Sequence, residues 1–586
     1  MGQKVYDLII HGGTVADGSG GAPFAADIAV EKGKIAGIGD YSADPAALHI
    51  DAAGRWVTPG FFDMHSHADL TAMLCPDMEG LLGQGVTSVF TGHCGMSMAP
   101  IGDYFMGMLE DVKAFEEISP LITYGKGPGN YPAADSPSLR RAFEKRFGVA
   151  MDWTSFGDFR EYLRRVGVGA NMYMLVGHAQ IRMAAMGMDY KRTATQEEID
   201  LMKTHVAEAM EAGALGLSFG LDYAPGSFAD DKELCQLAEC LIPYGGILAA
   251  HTRRRGKKPG ADKEHTEMEG YRDLMEIGLK TGLHVHISHI SSGFDVKPAD
   301  QELQDACGRR TLAIIEEYRQ KGVHVTWDTL VPDYIPWFFF PELAGVFKYF
   351  IELCGGKTAF CEKLKSPTYR AELTRSITEG KNPSFGRLVE DAEILRCKNE
   401  SYVGRRLNDI AAEQGKTPLE MAFDMLIEDP DTCYRQPPLG GPKETVDRVF
   451  AEAEEASMGL DNCAYDYDFE GERPDMPRDR STPTSYSGMI SFFEKRGDIP
   501  FEELVRKLTG NAAKALGVSD RGLLREGMAA DILVIDRENL RSNENFSDPR
   551  QKPDGIDYVI VDGRVAVAHG EHTHIRAGRI IERTAY

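Results

Sequence analysis

The chain has 586 residues, far above the ~100–200 of one ordinary domain, so it holds either several domains or one large barrel with additions. Hydrophobic residues make up 42% and charged residues 26%, a globular mixture that excludes disordered, collagenous and coiled-coil classes. With 65 Lys+Arg against 90 Asp+Glu the formal net charge is −25, which argues against nucleic acid or an anionic membrane surface as a partner.

Met1 to Tyr6 leads straight into an alternating apolar segment, without the charged n-region, apolar h-region and cleavage site of an export signal. No run reaches the ~18 apolar residues of a membrane span, so a cytoplasmic protein is expected. The ten cysteines are scattered, with no Cys-x-x-Cys pair, and form no disulfide framework. Short strands follow at Asp7 to His11, Ile28 to Glu31 and Lys34 to Ile38, separated by glycine turns.

Eight apolar, β-rich runs then recur: Val57 to Met64, Val86 to Thr91, Ala170 to Val176, Ala214 to Phe219, Ile247 to His251, Leu283 to His289, Val323 to Thr329 and Ser457 to Asp461. Helical patterns such as Glu197 to Ala212 and Asp231 to Leu241 lie between them, the alternation of parallel βα units. The spacing predicts an α/β fold, a TIM-type (β/α)8 barrel over 57–516 with its chemistry at the carboxyl ends of the strands. Insertions at about 101–169 and 331–456 are too long for simple connections, and the second, with aromatic Tyr334 to Phe340, is read as a folded cap. Phe501 to Leu516 is predicted helical. Strands at Ala530 to Asp536, Asp557 to Val561 and Arg564 to Ala568 are expected to join residues 1–56 in a small β-sandwich domain that includes 517–586.

Ligating residues gather at the ends of these runs. His65 and His67 are alternate residues and can face one cation, while His251 and His289 close the fifth and sixth runs. Cys94 follows the second run, and a thiolate there is a strong zinc ligand. Asp461 ends the eighth. Taken singly, each histidine is equally a hydrogen-bonded polar side chain, Cys94 a buried thiol and Asp461 a turn former. Arg253, two residues after His251, is placed on the same side, where it would meet an acidic substrate group or pair with an acidic neighbour.

Four segments carry a resemblance: Val57-Thr58-Pro59-Gly60-Phe61-Phe62-Asp63-Met64-His65-Ser66-His67; Gly92-His93-Cys94-Gly95; Val176-Gly177-His178 with Gly213 to Ser218 and Gly220 to Gly226; and Gly527-Met528-Ala529-Ala530-Asp531-Ile532. Through them the sequence resembles the amidohydrolase superfamily and, within it, the D-aminoacylase or N-acyl-D-amino-acid deacylase family. The resemblance implies a Zn2+-dependent hydrolase of non-peptide amide bonds. Cys94, His251 and His289 would hold a tight zinc, and His65, His67 and Asp461, sharing Cys94, a weaker second position. Asp461 would be the general base, Tyr223 an oxyanion donor, and His178 a hydrogen-bonding neighbour.

Two departures bear on substrate binding. Relatives commonly carry a lysine two positions after the histidine ending strand six, where Ser291 stands, and a His-Pro-Arg segment where this chain reads Ser481-Thr482-Pro483-Thr484-Ser485. Arg253, Arg478 or Arg480 are the candidates to replace that carboxylate contact. The expected partner is a small N-acyl compound, and a homo-oligomer is compatible with this reading. A cyclic-amide hydrolase of the hydantoinase or dihydroorotase kind is the first alternative, weakened because no lysine ends the Ala214 to Phe219 run; a non-catalytic scaffold is the second.

Overall fold

The computed structural model describes residues 5–106, 133–254, 258–260, 262, 265–293, 301–331, 343–347, 350–351, 354–378, 392–435, 448–469, 486–543 and 550–583. Tyr334 to Phe340, Arg255, Lys257, Arg478, Arg480 and Ser481 to Ser485 lie outside the described residues.

The first described strands, Tyr6–Val15, Phe24–Glu31, Lys34–Gly39, Ala46–Asp51 and Trp56–Pro59, join the late strands Ile532–Ile535, Ile556–Val561, Arg564–Ala568 and Glu571–His572 in one nine-stranded sheet. Pairing is continuous rather than divided between two sheets, because Trp56–Pro59 bonds Tyr6–Val15 on one side in parallel and Ile532–Ile535 on the other antiparallel. Its core mixes early and late residues, among them Leu8, Ile10, Ile28 and Val30 with Ile532, Val534 and Ile560.

The run Val57 to Met64, expected as one barrel strand, is divided at Gly60. Trp56–Pro59 ends in the nine-stranded sheet, whereas Phe61–Ser66 begins a parallel one. Gly60 donates its amide to Asp531 O at 2.9 Å, and Phe61 donates to Gly85 O at 2.9 Å, so one peptide separates the two sheets. A Cβ on Gly60 would lie 2.1 Å from Thr87 Oγ1, so glycine alone fits the switch.

Seven parallel strands follow, in the order Phe61–Ser66, Val86–Thr91, Asn171–Gly177, Gly216–Gly220, Ile247–His251, His284–Ile287 and Val325–Trp327. The eighth run supplies only Met458–Gly459, paired in parallel with Thr329–Leu330. On its other side Asp461 donates its amide to His65 O at 2.7 Å, and His67 donates to Asn462 O at 2.6 Å. The buried Asp63 carboxylate adds a bond from the Leu460 amide at 2.8 Å.

The connecting helices carry their signals in sequence. Gln196–Glu211 starts at a capping box of Thr195 and Glu198, and Asp231–Glu239 is capped by Asp230. The predicted helix Phe501 to Leu516 is two helices, Phe501–Leu508 and Gly510–Leu516, broken at Thr509, where φ is −134° and ψ is −83°.

The described residues between 343 and 435 belong to a separate compact unit. Its described part packs helices Lys357–Leu364, Pro367–Thr378, Leu407–Glu413 and Pro418–Glu428 around a core that includes Phe347, Phe360, Ile410, Phe423 and Leu426. Among the described residues no helix is long and apolar enough to cross a membrane.

Candidate metal centre

Six side chains named from sequence converge at the carboxyl ends of the parallel strands. Cys94 Sγ lies 3.6 Å from His251 Nδ1, 3.5 Å from His289 Nε2 and 3.3 Å from His65 Nε2. The Asp461 carboxylate lies 3.2 Å from His65 Nε2 and 3.3 Å from His67 Nε2. Two ligand sets therefore share the thiol: Cys94, His251 and His289; and His65, His67, Cys94 and Asp461. All but His251 are buried.

Local backbone aims these groups. Cys94, His289 and Asp461 adopt φ of 57°, 37° and 58°, left-handed conformations that a non-glycine residue keeps only when its surroundings hold it there. Cys94 is held by its neighbours: the Gly95 amide donates to Ser218 Oγ at 3.0 Å, and Tyr223 donates its hydroxyl to Cys94 O at 2.7 Å. A Cβ on Gly220 would sit 2.0 Å from that same carbonyl, so the strand end must be glycine for the Cys94 loop to reach it.

The electrostatics favour ligand-ready protonation states at Cys94, His289 and Asp461, whereas His65 and His67 are raised and would give up a proton to a bound cation. Burial opposes a thiolate at Cys94, but the imidazoles of His65 and His289, with hydrogen bonds from His251 and His289, hold it well below the usual thiol range. Burial first, and then the Arg254 guanidinium, push His289 down to about 4, so it is neutral at pH 7. Burial also opposes charging of His67, yet contacts with Asp461 and Cys94 raise it to about 9. Asp461 stays well below the ordinary carboxylate range despite burial, because His65 and His67 face it.

This donor set fits zinc. Ligand distances of about 2.3 Å to sulfur and 2.0–2.1 Å to nitrogen place tetrahedral sulfur and nitrogen ligands about 3.6 Å apart. The Cys94 separations of 3.6 and 3.5 Å to His251 and His289 match that edge. Without a cation, such a group would be a costly burial of one thiolate, one carboxylate and several imidazoles.

The described substrate candidates, Arg253 and Ser291, each have partners within the protein. Arg253 is buried and donates to Ser227 O at 3.0 Å and Ala229 O at 3.4 Å, whereas its neighbour Arg254 reaches His289 Nδ1 and lies 3.2 Å from Glu267. Ser291 meets Tyr271, whose hydroxyl accepts the Ser291 amide at 2.9 Å. His178 lies outside the cluster, bonded to Glu233 at 2.8 Å, which also takes Arg182 at 2.9 Å.

Sequence reading missed Asp328. Its carboxylate lies 3.2 Å from His65 Nδ1 and 2.9 Å from His286 Nε2, and it accepts the His289 amide at 2.9 Å, so one buried side chain orients two of the candidate ligands. A carboxylate next to the end of the apolar run Val323 to Thr329 was the available signal. His93 also belongs here, its ring 4.1 Å from that of His65 and its Nδ1 3.1 Å from Ser288 Oγ.

The chain is 29% identical to the D-aminoacylase of Alcaligenes xylosoxydans xylosoxydans over 100% of this chain and 99% of that protein. A solved D-aminoacylase structure aligns at 26% identity and a TM-score of 0.65, covering 99% of this chain and all of that one. The N-acyl-D-glutamate deacylase of Bordetella bronchiseptica, solved with zinc and a phosphonate inhibitor that mimics the tetrahedral intermediate, aligns at 25% identity and a TM-score of 0.66, with 99% and 100% covered. A model of the amidohydrolase family matches residues 49–307 and 477–567, more than half of the sequence, and the chain belongs to the amidohydrolase family.

Proposed function

We propose that this protein is a zinc-dependent amidohydrolase that removes the acyl group from an N-acyl-D-amino acid or a related N-acyl compound. The supporting observation is the convergence of Cys94, His251 and His289 with His65, His67 and Asp461, in a chain alignable from end to end with D-aminoacylase. We read the parallel strands as a closed eight-stranded barrel, with Met458–Gly459 as its last strand, and the nine-stranded sheet as a small sandwich folded on itself. A cytoplasmic location belongs to the same reading.

Cys94, His251 and His289 would hold the tight zinc, and His65, His67 and Asp461 a weaker second position. An ion held there would supply Lewis acidity, making water acidic enough to be deprotonated near neutral pH and drawing charge from the scissile carbonyl. Asp461 accepts the proton of the attacking water through its carboxylate and returns it to the nitrogen as the C–N bond breaks, releasing a carboxylic acid and an amine. Tyr223, now donating to Cys94 O, stands beside His251 with ring centroids 5.0 Å apart and would turn its hydroxyl to the oxyanion. Arg253 and Ser291 serve the substrate indirectly, by fixing the loop at 227–229 and the Tyr271 hydroxyl.

The test is a hydrolysis screen over N-acetyl-D-, N-acetyl-L- and cyclic amides with zinc-loaded enzyme and two variants. The expected outcome is turnover of N-acetyl-D-amino acids, with Asp461→Ala retaining the tight zinc while kcat falls by ~10²–10⁴. Full activity in both Asp461→Ala and Cys94→Ala, or turnover of cyclic amides alone, overturns the reading.

A further inference from the structure

A second group of ligating side chains lies away from the strand-end cluster, where the residues before the short helix Glu79–Leu82 meet the strand Glu571–His572 and the residues after it. Asp77, His572 and His574 each present a donor atom within 4.8 Å of the others. His574 Nδ1 is 3.2 Å from Asp77 Oδ2 and 3.8 Å from Glu79 Oε1, and His572 Nδ1 is 3.7 Å from the same Glu79 oxygen. Nitrogen and oxygen ligands on a tetrahedral zinc stand about 3.3 Å apart; the His574–Asp77 pair already has that span, and the other donors, all within 4.8 Å, would draw inward around an ion.

These are not freely solvated surface residues. The side chains of His572, Glu79 and Asp77 are 8%, 15% and 18% exposed; His574 alone is open, at 70%. His572 Nε2 is buried with no hydrogen-bond partner, and its ring lines a cavity of about 320 Å³ together with Glu79, Asp468 and His574. That unmatched nitrogen costs free energy that a ligand bound at Nε2 would recover, with Nδ1 still taking the His574 amide. The surroundings are acidic, since Asp466 also stands here, accepting the Glu79 amide at 2.9 Å. The competing contact is an ion pair from Arg576 Nε to the other oxygen of Asp77 at 2.5 Å, and the His574 amide donates to His572 Nδ1 at 3.0 Å.

We propose that Asp77, Glu79, His572 and His574 form an auxiliary site for a divalent transition cation of the zinc or cobalt type, separate from the cysteine-containing centre. Imidazole with carboxylate suits such ions. A cation there ties together residues 497 positions apart, the long-range closure in which a metal clip is most effective, so it would be a structural ion. The proposal does not depend on the deacylase reading.

The test uses the full chain loaded with Co2+, measuring metal content and the absorption spectrum. The His572→Gln/His574→Gln double variant is expected to hold one equivalent fewer than the parent while keeping the thiolate-to-cobalt band, and Cys94→Ala to lose that band while keeping the auxiliary equivalent. His574→Gln alone, at the open position where folding is not at stake, is expected to weaken the auxiliary equivalent and to reduce the rise in Tm that excess metal gives the parent. Unchanged stoichiometry in the double variant, or unchanged affinity and Tm response in His574→Gln, overturns the proposal.

Discussion

The nine-stranded sheet and the strand-end cluster of candidate metal ligands are both deeply buried, yet they are built from opposite materials. In the sheet the buried side chains are aliphatic, and its buried charges are matched, Arg521 standing 2.6 Å from Asp531 and 3.5 Å from Asp562. At the strand ends a thiol, two carboxylates and several imidazoles are buried together, on backbone that is left-handed at Cys94, His289 and Asp461. Burial of apolar area stabilises the first region at about 25 cal/mol per Å². Burial of charge and backbone strain of about 1–3 kcal/mol per residue oppose the second, which the rest of the fold must hold in place. Stability and chemistry are thus segregated, and substitutions should separate them.

The largest effect is expected from Cys94→Ala, which removes the ligand common to both sets: zinc content by elemental analysis falls and hydrolysis drops to background, while the circular dichroism spectrum is retained. The converse substitution, Ile28→Ala in the sheet core, is expected to destabilise by ~2–5 kcal/mol in urea unfolding and leave kcat per folded molecule unchanged. Asp328→Asn sharpens the contrast further: zinc affinity in a competition titration is expected to fall ~10–100-fold, with a much smaller change in Tm, because the side chain orients His65 and His289 without joining the apolar core.

The smallest effect belongs to neither region. Hydrogen bonds from Arg192 and then Thr195 hold the Glu198 carboxyl down to about 2, below its ordinary value near 4.5. A depressed carboxyl stabilises the folded chain above its unfolded pKa, and that contribution fades as pH falls towards 2. Glu198→Gln keeps the helix cap, so thermal melts are expected to lose this acid dependence at a cost of no more than a few tenths of a kcal/mol near pH 7 for so exposed a pair.

The strands of the parallel sheet were legible because apolar β-rich runs alternate with helical patterns, and the clustering of the candidate ligands because each stands at or just beyond the end of such a run. The division at Gly60 was not legible, since Val57 to Met64 is continuously apolar although its two halves serve different sheets. Arg253 donates to the carbonyls of Ser227 and Ala229, while its neighbour Arg254 is the one beside His289, for a geometric reason. Beyond His251 the strand ends, and the two-residue alternation used to place Arg253 beside the site no longer applies. Asp328 escaped notice because it stands between two short strands, Val325–Trp327 and Thr329–Leu330, that pair with different neighbours within what reads as one run.

The shared sheet has a consequence for biosynthesis. Trp56–Pro59 is made early, but its antiparallel partner Ile532–Ile535 leaves the ribosome hundreds of residues later, roughly half a minute to a minute and a half at bacterial-like rates of ~5–20 residues per second. Throughout that interval the nascent strands carry an open edge and a greasy face, the condition that invites sticking to other chains. Chaperone demand should therefore scale with translation time, and slowing the ribosome would penalise the earliest residues most.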